Sequence, residues 1–348
     1  MNKNTILVAL IATQISALLA AEEPNTLVSD ASKNAATLLN SIEPGNMMLA
    51  DYVKLGIEAE ILATYSKENN NDGTSEDSND LVFDKLDIGL DVDVTENIKF
   101  NTVFEYEDGE DLRVDSAQFD FELTDYLAVT VGKAYIPFGA FGGDMISDPL
   151  TLDLGEVCKT TAGLIWSPVN ELAVSAWVFS GDIEEEINNG AVIIEFAPVN
   201  ELTFGFGVIS DICEGSLADS IELDDDSDYE QTAGVNAWIA INLTDSLSVA
   251  GEYIAAIDDV DALNGDKPQA WAFDAVWKAT DDLTIAGRYE GTKEFLAEET
   301  PKSRVGGTVT YALNDAVSLS AEYLYGKYDD VSELDDSHAV TGRLAIAF

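Results

Sequence analysis

The chain is poor in basic residues, and this shortage excludes a class of partner. Its 348 residues include 17 Lys and Arg against 66 Asp and Glu, which gives a formal net charge of −49. A surface this acidic repels the phosphates of DNA and RNA, so nucleic acid is excluded as a partner. The 14 Phe, 12 Tyr and 5 Trp show that the charge does not mean disorder, because such a chain can still bury apolar surface.

Catalytic and metal-binding signatures are missing as well. The single histidine, His338, lies at the edge of a loop, and no Gly-x-Ser-x-Gly, phosphate-loop or Cys-x-x-Cys motif occurs. The acidic run from Asp72 to Asp80 lacks the glycine and glutamate spacing of a calcium loop. We therefore predict that the protein is not an enzyme, and that it has no metal site and no cofactor.

Long apolar runs are absent beyond the N-terminus. Two short apolar runs, 6–12 and 15–20, precede the acidic pair Glu22 and Glu23, a pattern that predicts a signal peptide over 1–21. Residues 22–47 predict a short periplasmic segment with a helix at 31–39. No later stretch approaches the roughly 18 apolar residues of a membrane helix. An exported chain of this kind is soluble, bound to a surface or a β-barrel.

From Met48 to Phe348, apolar and polar residues alternate with the period of a β-strand. In the second segment, for example, Leu86, Ile88 and Leu90 alternate with Asp87 and Asp91. The predicted strands are 50–66, 81–94, 98–107, 112–122, 127–136, 157–167, 171–181, 190–197, 202–211, 230–242, 247–258, 269–279, 283–291, 303–312, 317–328 and 338–348.

Two kinds of connection separate these strands. Short turns such as Leu123-Thr-Asp-Tyr-Leu127 alternate with longer acidic loops such as 67–80 and 211–230. This asymmetry predicts an all-β, transmembrane antiparallel up-and-down β-barrel of about 16 strands over 48–348, with short periplasmic turns, in a Gram-negative outer membrane. A soluble β-sandwich is the rival architecture, but its strands would rarely keep this length and turn asymmetry.

The polar side chains at alternate positions of the strands should face a water-filled lumen. Acidic residues dominate the first strands and arginines the last, so two walls of opposite charge should meet where the barrel closes. The predicted lumen charges are Glu58, Glu60, Asp87, Asp91, Glu105, Arg288, Arg304, Glu322 and Arg343. Such walls either orient a charged solute or compensate each other's charge, and the sequence leaves both interpretations open.

The loop after the fifth predicted strand differs from the others. Residues 137–156 are apolar and rich in glycine, whereas the other long loops are acidic. Folding inward would bury its apolar side chains and narrow a channel that 16 strands leave open. We therefore predict a constriction at 137–156, against the alternative of an outward surface loop. The residues predicted to narrow the pore or meet solute are Phe138, Phe141, Asp144, Met145, Asp148 and Asp153.

Cys158 and Cys213 are the only cysteines, and both fall near the external ends of predicted strands. An exported protein can pair its cysteines, but three hairpin positions separate these two, so a disulfide stays open.

Two runs resemble a known family. Lys133-Ala-Tyr-Ile-Pro-Phe-Gly139 and Met145-Ile-Ser-Asp-Pro-Leu-Thr-Leu-Asp-Leu-Gly-Glu156 resemble the LbtU-type siderophore porins. That resemblance implies a barrel for ferric-siderophore transport and iron uptake without a TonB-type plug. A shorter element, Gly-x-x-x-x-Pro-Phe-Gly, also resembles phosphate-selective porins, whose pores need a basic lumen that this acidic chain lacks.

Three functions follow from these observations. The first is an outer-membrane porin for small solutes, with ferric siderophore as its expected solute. The alternatives are a general cation-preferring porin and a structural or adhesive barrel. The predicted partners are outer-membrane lipid or lipopolysaccharide, the solute, and the barrel-assembly machinery, which would recognise the terminal Phe348. A homotrimer would fit such a barrel, and the sequence does not decide it.

Overall fold

A computed structural model describes residues 47–50, 52–183, 187–215, 217–218, 229–263 and 265–348. The predicted signal peptide 1–21, and the segment 22–47 apart from its last residue, lie outside these described residues.

The described chain forms one antiparallel sheet with one short α-helix and two 3₁₀ turns. The strands are β1 Met47–Ala50, β2 Val53–Asn70, β3 Ser75–Thr95, β4 Ile98–Glu107, β5 Arg113–Thr124, β6 Leu127–Tyr135, β7 Cys158–Val169, β8 Leu172–Phe179, β9 Asn189–Val199, β10 Leu202–Ile209, β11 Gly234–Thr244, β12 Leu247–Ala256, β13 Gln269–Thr280, β14 Leu283–Lys293, β15 Ser303–Asn314, β16 Val317–Lys327 and β17 Leu334–Ala347. The helix, α1, spans Leu150–Gly155, and the 3₁₀ turns span Ile212–Glu214 and Asp261–Leu263.

The strands β2 to β17 close into a barrel of 16 strands. Each pairs with its neighbours in sequence, and β17 pairs with β2 to seal the ring, with Leu344 opposite Ile61. The closed antiparallel barrel predicted from the sequence is therefore confirmed. The 16 predicted strands correspond in order to β2–β17, and their predicted ends differ from the observed ends by a few residues. Strand β1 is an additional short strand. The prediction merged the end of β1 with β2.

Strands β1 and β17 pair with the same edge of β2. Phe348 exchanges backbone hydrogen bonds with Ile57, at 2.7 and 2.9 Å. Met47 pairs with Leu55, two residues away along β2. The backbone of β1 therefore continues the line of β17 beside β2.

Tight turns and long loops lie at opposite ends of the barrel. Two-residue turns join β3 to β4, β5 to β6, β7 to β8, β9 to β10, β11 to β12, β13 to β14 and β15 to β16. We call their side the turn end and the opposite side the loop end. The side chains of Thr95, Thr244 and Thr280 accept backbone N–H groups within these turns, which is the local chemistry expected of Thr-Asp and Thr-Glu sequences.

The outer surface of the barrel is apolar, as the alternation predicts. The outward side chains of Phe119, Leu164, Trp277 and Tyr289, for example, are 43%, 46%, 49% and 52% exposed. A lipid environment would cover these side chains, since such a belt is too large for a soluble surface. No helix in the described part of the chain is long and apolar enough to cross a membrane.

An apolar core lies inside the barrel, which the alternation did not predict. It joins inward side chains of β7–β10, such as Ile165, Trp177 and Ile193, to residues of the loop after β6, such as Phe138 and Leu152. All five are at most 4% exposed. We call β7–β10 the apolar wall.

Candidate functional site

The loop 137–156 after β6, here called the inner loop, lies against the inner face of the barrel. Its neck is closed by a hydrogen bond from Ile136 N–H to the carbonyl of Val157, at 2.8 Å, which extends the β6–β7 ladder by one step. Phe138 and Leu152 are fully buried, and Phe141 is 3% exposed. These side chains join the apolar core, so burial of apolar surface holds the inner loop on the apolar wall.

Three glutamates on the inside of β12, β14 and β16 bind the backbone of the inner loop. Glu252 accepts the N–H groups of Ala140 and Phe141, at 2.6 and 3.0 Å, and the hydroxyl of Thr151.

Glu322 accepts the N–H groups of Ile146 and Ser147, at 2.6 and 3.2 Å, and the hydroxyl of Thr308, at 2.6 Å. Glu290 accepts the N–H of Leu150, at 2.7 Å. Because charge-assisted bonds are roughly twice as strong as neutral ones, these carboxylates are strong anchors. We call β12–β16 the loop wall.

Two arginines of the loop wall bind the carbonyl groups of the inner loop. Arg288 donates to Gly142 and Ser147, at 3.1 and 2.8 Å, and its Nε lies 2.7 Å from Asp274 Oδ1. Arg304 donates to the carbonyl of Asp148 and pairs with Glu290, at 2.7 Å. The inner loop does not pair with a strand, so side chains of the loop wall bind many of its backbone N–H and carbonyl groups instead.

Two glycines permit this close approach. Gly139 and Gly143 have φ of +132° and +135°, a region that side chains rarely adopt. A Cβ at Gly143 would lie 2.4 Å from Arg288 Nη2 and 2.6 Å from Asp274 Oδ1. A larger residue at 143 would therefore push the inner loop away from this ion pair.

The middle of the inner loop packs on the inner face of β13, β14 and β16. Met145 is 1% exposed and packs with Val276, Ala286 and Leu324. Burial raises the pKa of the adjacent Asp144 above its ordinary value, and the positive charges of Lys278 and Arg343 partly offset that rise.

The wall formed by β2–β5, here called the acidic wall, carries more carboxylates than cations. Lys85 is fully buried, 3.4 Å from Asp87 Oδ2, and Arg343 reaches across the seam to Glu60, at 3.2 Å.

Arg113, at the loop end of β5, is another cation of this wall that the structure pairs with carboxylates. It contacts Glu105, Glu107 and Glu110.

Many carboxylate oxygens on and beside the acidic wall have no hydrogen-bond partner although they are buried. They are Glu60 Oε2, Asp84 Oδ2, Asp87 Oδ1, Asp91 Oδ1, Glu105 Oε2, Glu107 Oε1 and Asp115 Oδ2, together with Asp148 Oδ1 and Glu156 Oε2 of the inner loop. Among the described residues, the glutamates that anchor the inner loop contribute no such oxygen. An unpaired buried carboxylate is costly, so this wall favours a cation or water beside it.

The end of the inner loop next to the acidic wall is itself acidic. Burial raises the pKa of Asp148 well above its ordinary value, and the negative charges of Asp153 and Glu156 add to the effect. Burial raises the pKa of Glu156 to about 8, and the charges of Asp115 and Asp153 contribute. Carboxylates from the inner loop and the acidic wall thus act on each other.

The predicted site residues fall into separate groups in the structure. Phe138 and Phe141 lie in the apolar core, whereas Asp148 and Asp153 lie on the side of Glu156. Among the lumen charges, Arg288, Arg304 and Glu322 are bound to the inner loop. Glu58 and Asp91 lie on β2 and β3, cross-strand from Asp87 and Asn101.

Sequence reasoning missed Glu252, Asp274 and Arg113. A signal for the first was present, since Glu252 is the only charged residue of β12 and shares its parity with Ser248 and Ile254.

Cys158 and Cys213 are free thiols in the structure, so the disulfide that the sequence left open is not formed here. The Sγ of Cys158 lies 3.6 Å from the carbonyl oxygen of Asp115, and Cys213 is fully buried in the apolar core.

Comparison with known proteins identifies the architecture. No protein-family model matches the chain, and no curated protein sequence matches it. Among solved structures, the outer membrane channel DcaP of Acinetobacter baumannii matches with a TM-score of 0.64 at 12% identity, covering 88% of this chain and 100% of that one.

Two further porins match in the same way. The anion-selective porin from Comamonas acidovorans gives a TM-score of 0.60 at 10% identity, over 85% of this chain and 100% of that one. OmpF of Salmonella typhi, in a complex with daunomycin, gives 0.57 at 12% identity, over 86% and 98%. The chain therefore has the fold of outer-membrane porins.

Proposed function

We propose that the protein is a passive outer-membrane porin that prefers cations and is narrowed by the inner loop. The carrying observation is the contrast in how carboxylates are used. Glu252, Glu290 and Glu322 of the loop wall bind the inner loop, whereas many carboxylates of the acidic wall keep an unpaired oxygen. A solute that passes beside the acidic wall meets a field set by more carboxylates than cations, so a cation is stabilised there and an anion is repelled.

Two arginines of the loop wall do not offset this preference. Arg288 and Arg304 are each bound to a carboxylate and to carbonyl groups of the inner loop. Their charges are therefore largely compensated by their partners, and they are less able to attract an anionic solute. In the same proposal, the inner loop leaves the path beside the acidic wall as the route for solute.

Ion selectivity in planar bilayers tests this function. We expect the purified barrel to conduct and, in a KCl gradient, to give a reversal potential of the sign that K⁺ permeation sets. An anion-selective potential would contradict the proposal. A barrel that folds and inserts but passes no current would instead support the structural or adhesive alternative.

Ferric-siderophore uptake is the second candidate. It rests on the resemblance of 133–139 and 145–156 to LbtU-type siderophore porins, and these residues form the inner loop and its approach. The test is binding of a ferric siderophore to the purified barrel by tryptophan fluorescence, with the iron-free siderophore as control. Absence of binding at concentrations that saturate known receptors would remove this candidate and leave the general porin.

A further inference from the structure

A shallow recess opens from the lumen beside the turn of the inner loop at Gly143. Its floor consists of small side chains, Ala240 on β11 and Ala250 on β12. It has room for little more than one water-sized group. The recess therefore suits one end group of a solute, such as a hydroxyl, and not a whole molecule.

Three polar side chains on adjacent strands border the recess. Asn242 on β11 lies directly opposite Ser248 on β12, near the turn end, and Asp274 on β13 lies opposite Ala250. Ser248 and Asp274 are 4% and 7% exposed. The strand pairing thus holds an amide, a hydroxyl and a carboxylate around one small space.

These polar groups have hydrogen-bonding capacity that the protein does not use. Within the described part of the chain, the side chains of Asn242 and Ser248 form no hydrogen bond. Asp274 uses only Oδ1, which Arg288 Nε binds at 2.7 Å. The free atoms are not closed to solvent, unlike the unpaired oxygens of the acidic wall, so a solute in the recess can reach them.

A polar cross-strand pair on the loop wall is different, because its members satisfy each other. Thr310 on β15 and Ser320 on β16 also lie opposite each other near the turn end, and their hydroxyl oxygens form a hydrogen bond of 2.9 Å. The unused capacity of Asn242 and Ser248 is therefore a feature of the recess and not of every polar pair at this end of the barrel.

The charge at the recess favours a neutral group. The carboxylate of Asp274 is compensated by Arg288, so neither a cation nor an anion gains a free partner of opposite charge. A hydroxyl group can donate to Asp274 Oδ2 and accept from Ser248 or Asn242, which uses both of its hydrogen-bonding functions.

An apolar surface lies beside the recess. Trp238 is two residues from Ala240 on the same face of β11, and so about 7 Å away along the strand. Its partly exposed indole ring covers Gly205 of β10, where an added Cβ would lie 2.4 Å from Nε1. A solute whose hydroxyl enters the recess can therefore lay an apolar face on this ring.

We propose that the recess is a subsite for neutral solutes that carry several hydroxyl groups, that is, polyols and small sugars. One hydroxyl enters the recess and the carbon skeleton lies on Trp238. This inference rests on the proposed porin function, but not on its preference for cations, and it names a class of solute that the channel retains during passage.

The experiment is single-channel recording in KCl with two neutral probes of similar mass. Glucose carries hydroxyl groups, whereas triethylene glycol dimethyl ether carries ether oxygens only. We expect glucose to lower the wild-type conductance along a saturating curve, because it occupies a site. The ether should lower the conductance only in proportion to its concentration, as a solute that fills the pore without binding.

The double variant Asn242→Ala with Ser248→Ala should raise the half-saturating glucose concentration about tenfold, as expected for the loss of one or two neutral hydrogen bonds. The matched control is Thr310→Ala with Ser320→Ala, which removes the cross-strand pair whose hydroxyls bind each other. The control should leave the glucose curve unchanged.

The outcomes separate the two proposals. A conducting wild-type channel on which glucose and the ether act alike, or a glucose curve that the double variant does not shift, overturns the subsite and leaves the porin function intact. An anion-selective channel that shows the expected glucose curves overturns the cation preference alone. A folded barrel that passes no current overturns both proposals, because a solute then has no path to the recess.

A second variant keeps the test valid if the double variant does not fold, as judged by circular dichroism. Ala250→Val fills the recess without removing a polar group, so it should weaken the action of glucose in the same way. An unchanged glucose curve in the folded Ala250→Val channel overturns the subsite.

Discussion

The loop wall and the acidic wall are built from the same residue types but use them differently. On the loop wall, the carboxylates of Glu252, Glu290 and Glu322 accept backbone N–H groups of the inner loop. On the acidic wall, Asp87 and Glu105 have cations beside one oxygen and no hydrogen-bond partner for the other. Inside this barrel, a carboxylate therefore either holds the inner loop in place or keeps an oxygen that no protein group binds.

Removing the inner loop should have the largest effect on this contrast. Deletion of 139–154 would free all three glutamate anchors, widen the lumen and give the loop wall unpaired carboxylates like those of the acidic wall. We expect single-channel conductance and the size limit for solutes to rise severalfold. If neither changes, the inner loop does not narrow the conducting path.

Weakening two anchors should loosen the inner loop without removing it. Glu252→Gln and Glu322→Gln keep the shape but lose the charge, so each should lower the free energy of unfolding by about 2 kcal/mol. The free energy is measured by urea titration in lipid vesicles, and current recordings should show more fluctuation. Glu195→Gln is the control, since Glu195 lies on β9, away from the loop wall; an equal loss in that variant would contradict the anchoring role.

A methyl group at Gly143 should disturb the contact between the inner loop and the Arg288–Asp274 ion pair. Gly143→Ala places Cβ against Arg288 and Asp274, and overpacking of this kind costs about 1–3 kcal/mol. Gly73→Ala is the matched control, because Gly73 also has positive φ, at +83°, but a Cβ added there would meet no atom within 4 Å. Comparing urea midpoints separates the clash from backbone strain; equal losses would mean that the clash contributes nothing.

Glu156 should make the free energy of unfolding depend on pH between about 4.5 and 8. Its pKa is raised from 4.5 to about 8, so the folded state binds a proton that the unfolded state loses between these values. Stability therefore falls as pH rises through this window, and the full penalty applies above pH 8.

Glu156→Gln removes this group and should stabilise the barrel at pH 9, by about 1 kcal/mol after allowance for solvent screening, and leave it unchanged at pH 4. Thermal unfolding at both pH values is the measurement. A gain of equal size at pH 4 would show that the effect is not the ionisation of Glu156.

The smallest effect should come from one charge at the turn end of the acidic wall. Asp91→Asn removes a carboxylate with an unpaired oxygen, so it should reduce the preference for K⁺ over Cl⁻ modestly at about 0.1 M salt. At about 1 M the difference should vanish, because the Debye length falls from about 10 Å to about 3 Å. A change that persists in high salt would indicate an altered pore shape rather than an altered field.

The strands and turns could be predicted because they follow local rules. Alternation in segments such as 98–107 and 247–258 and the Thr-Asp turns fix where strands begin and end, since the side-chain period of a strand is two residues. The count of 16 strands followed from these rules, and so did the position of the inner loop, after the fifth strand of the barrel (β6).

The packing of the lumen could not be predicted in the same way. Along β8 and β9, apolar residues such as Trp177, Phe179 and Ile193 point inward while Val178 and Ile194 point outward, so both faces are apolar and alternation carries no signal. The anchors Glu252 and Glu322 depend on contacts that span 111 and 176 residues of sequence. The helix α1 is six residues long and begins after a proline, too short for a periodic pattern.

Strands β1 and β17 share one edge of β2, with a short gap between Phe348 and Met47. Phe348 and Met47 follow one another along β2, running in the same direction, with backbone pairing on both sides of the gap. In a variant that begins at Met47, a peptide link from Phe348 to Met47 would make the barrel one circular chain, and new ends could then be cut at any of the tight turns. Circular permutants should therefore keep every ladder of the barrel, and the order in which the strands are synthesised becomes a variable that can be changed independently of the fold.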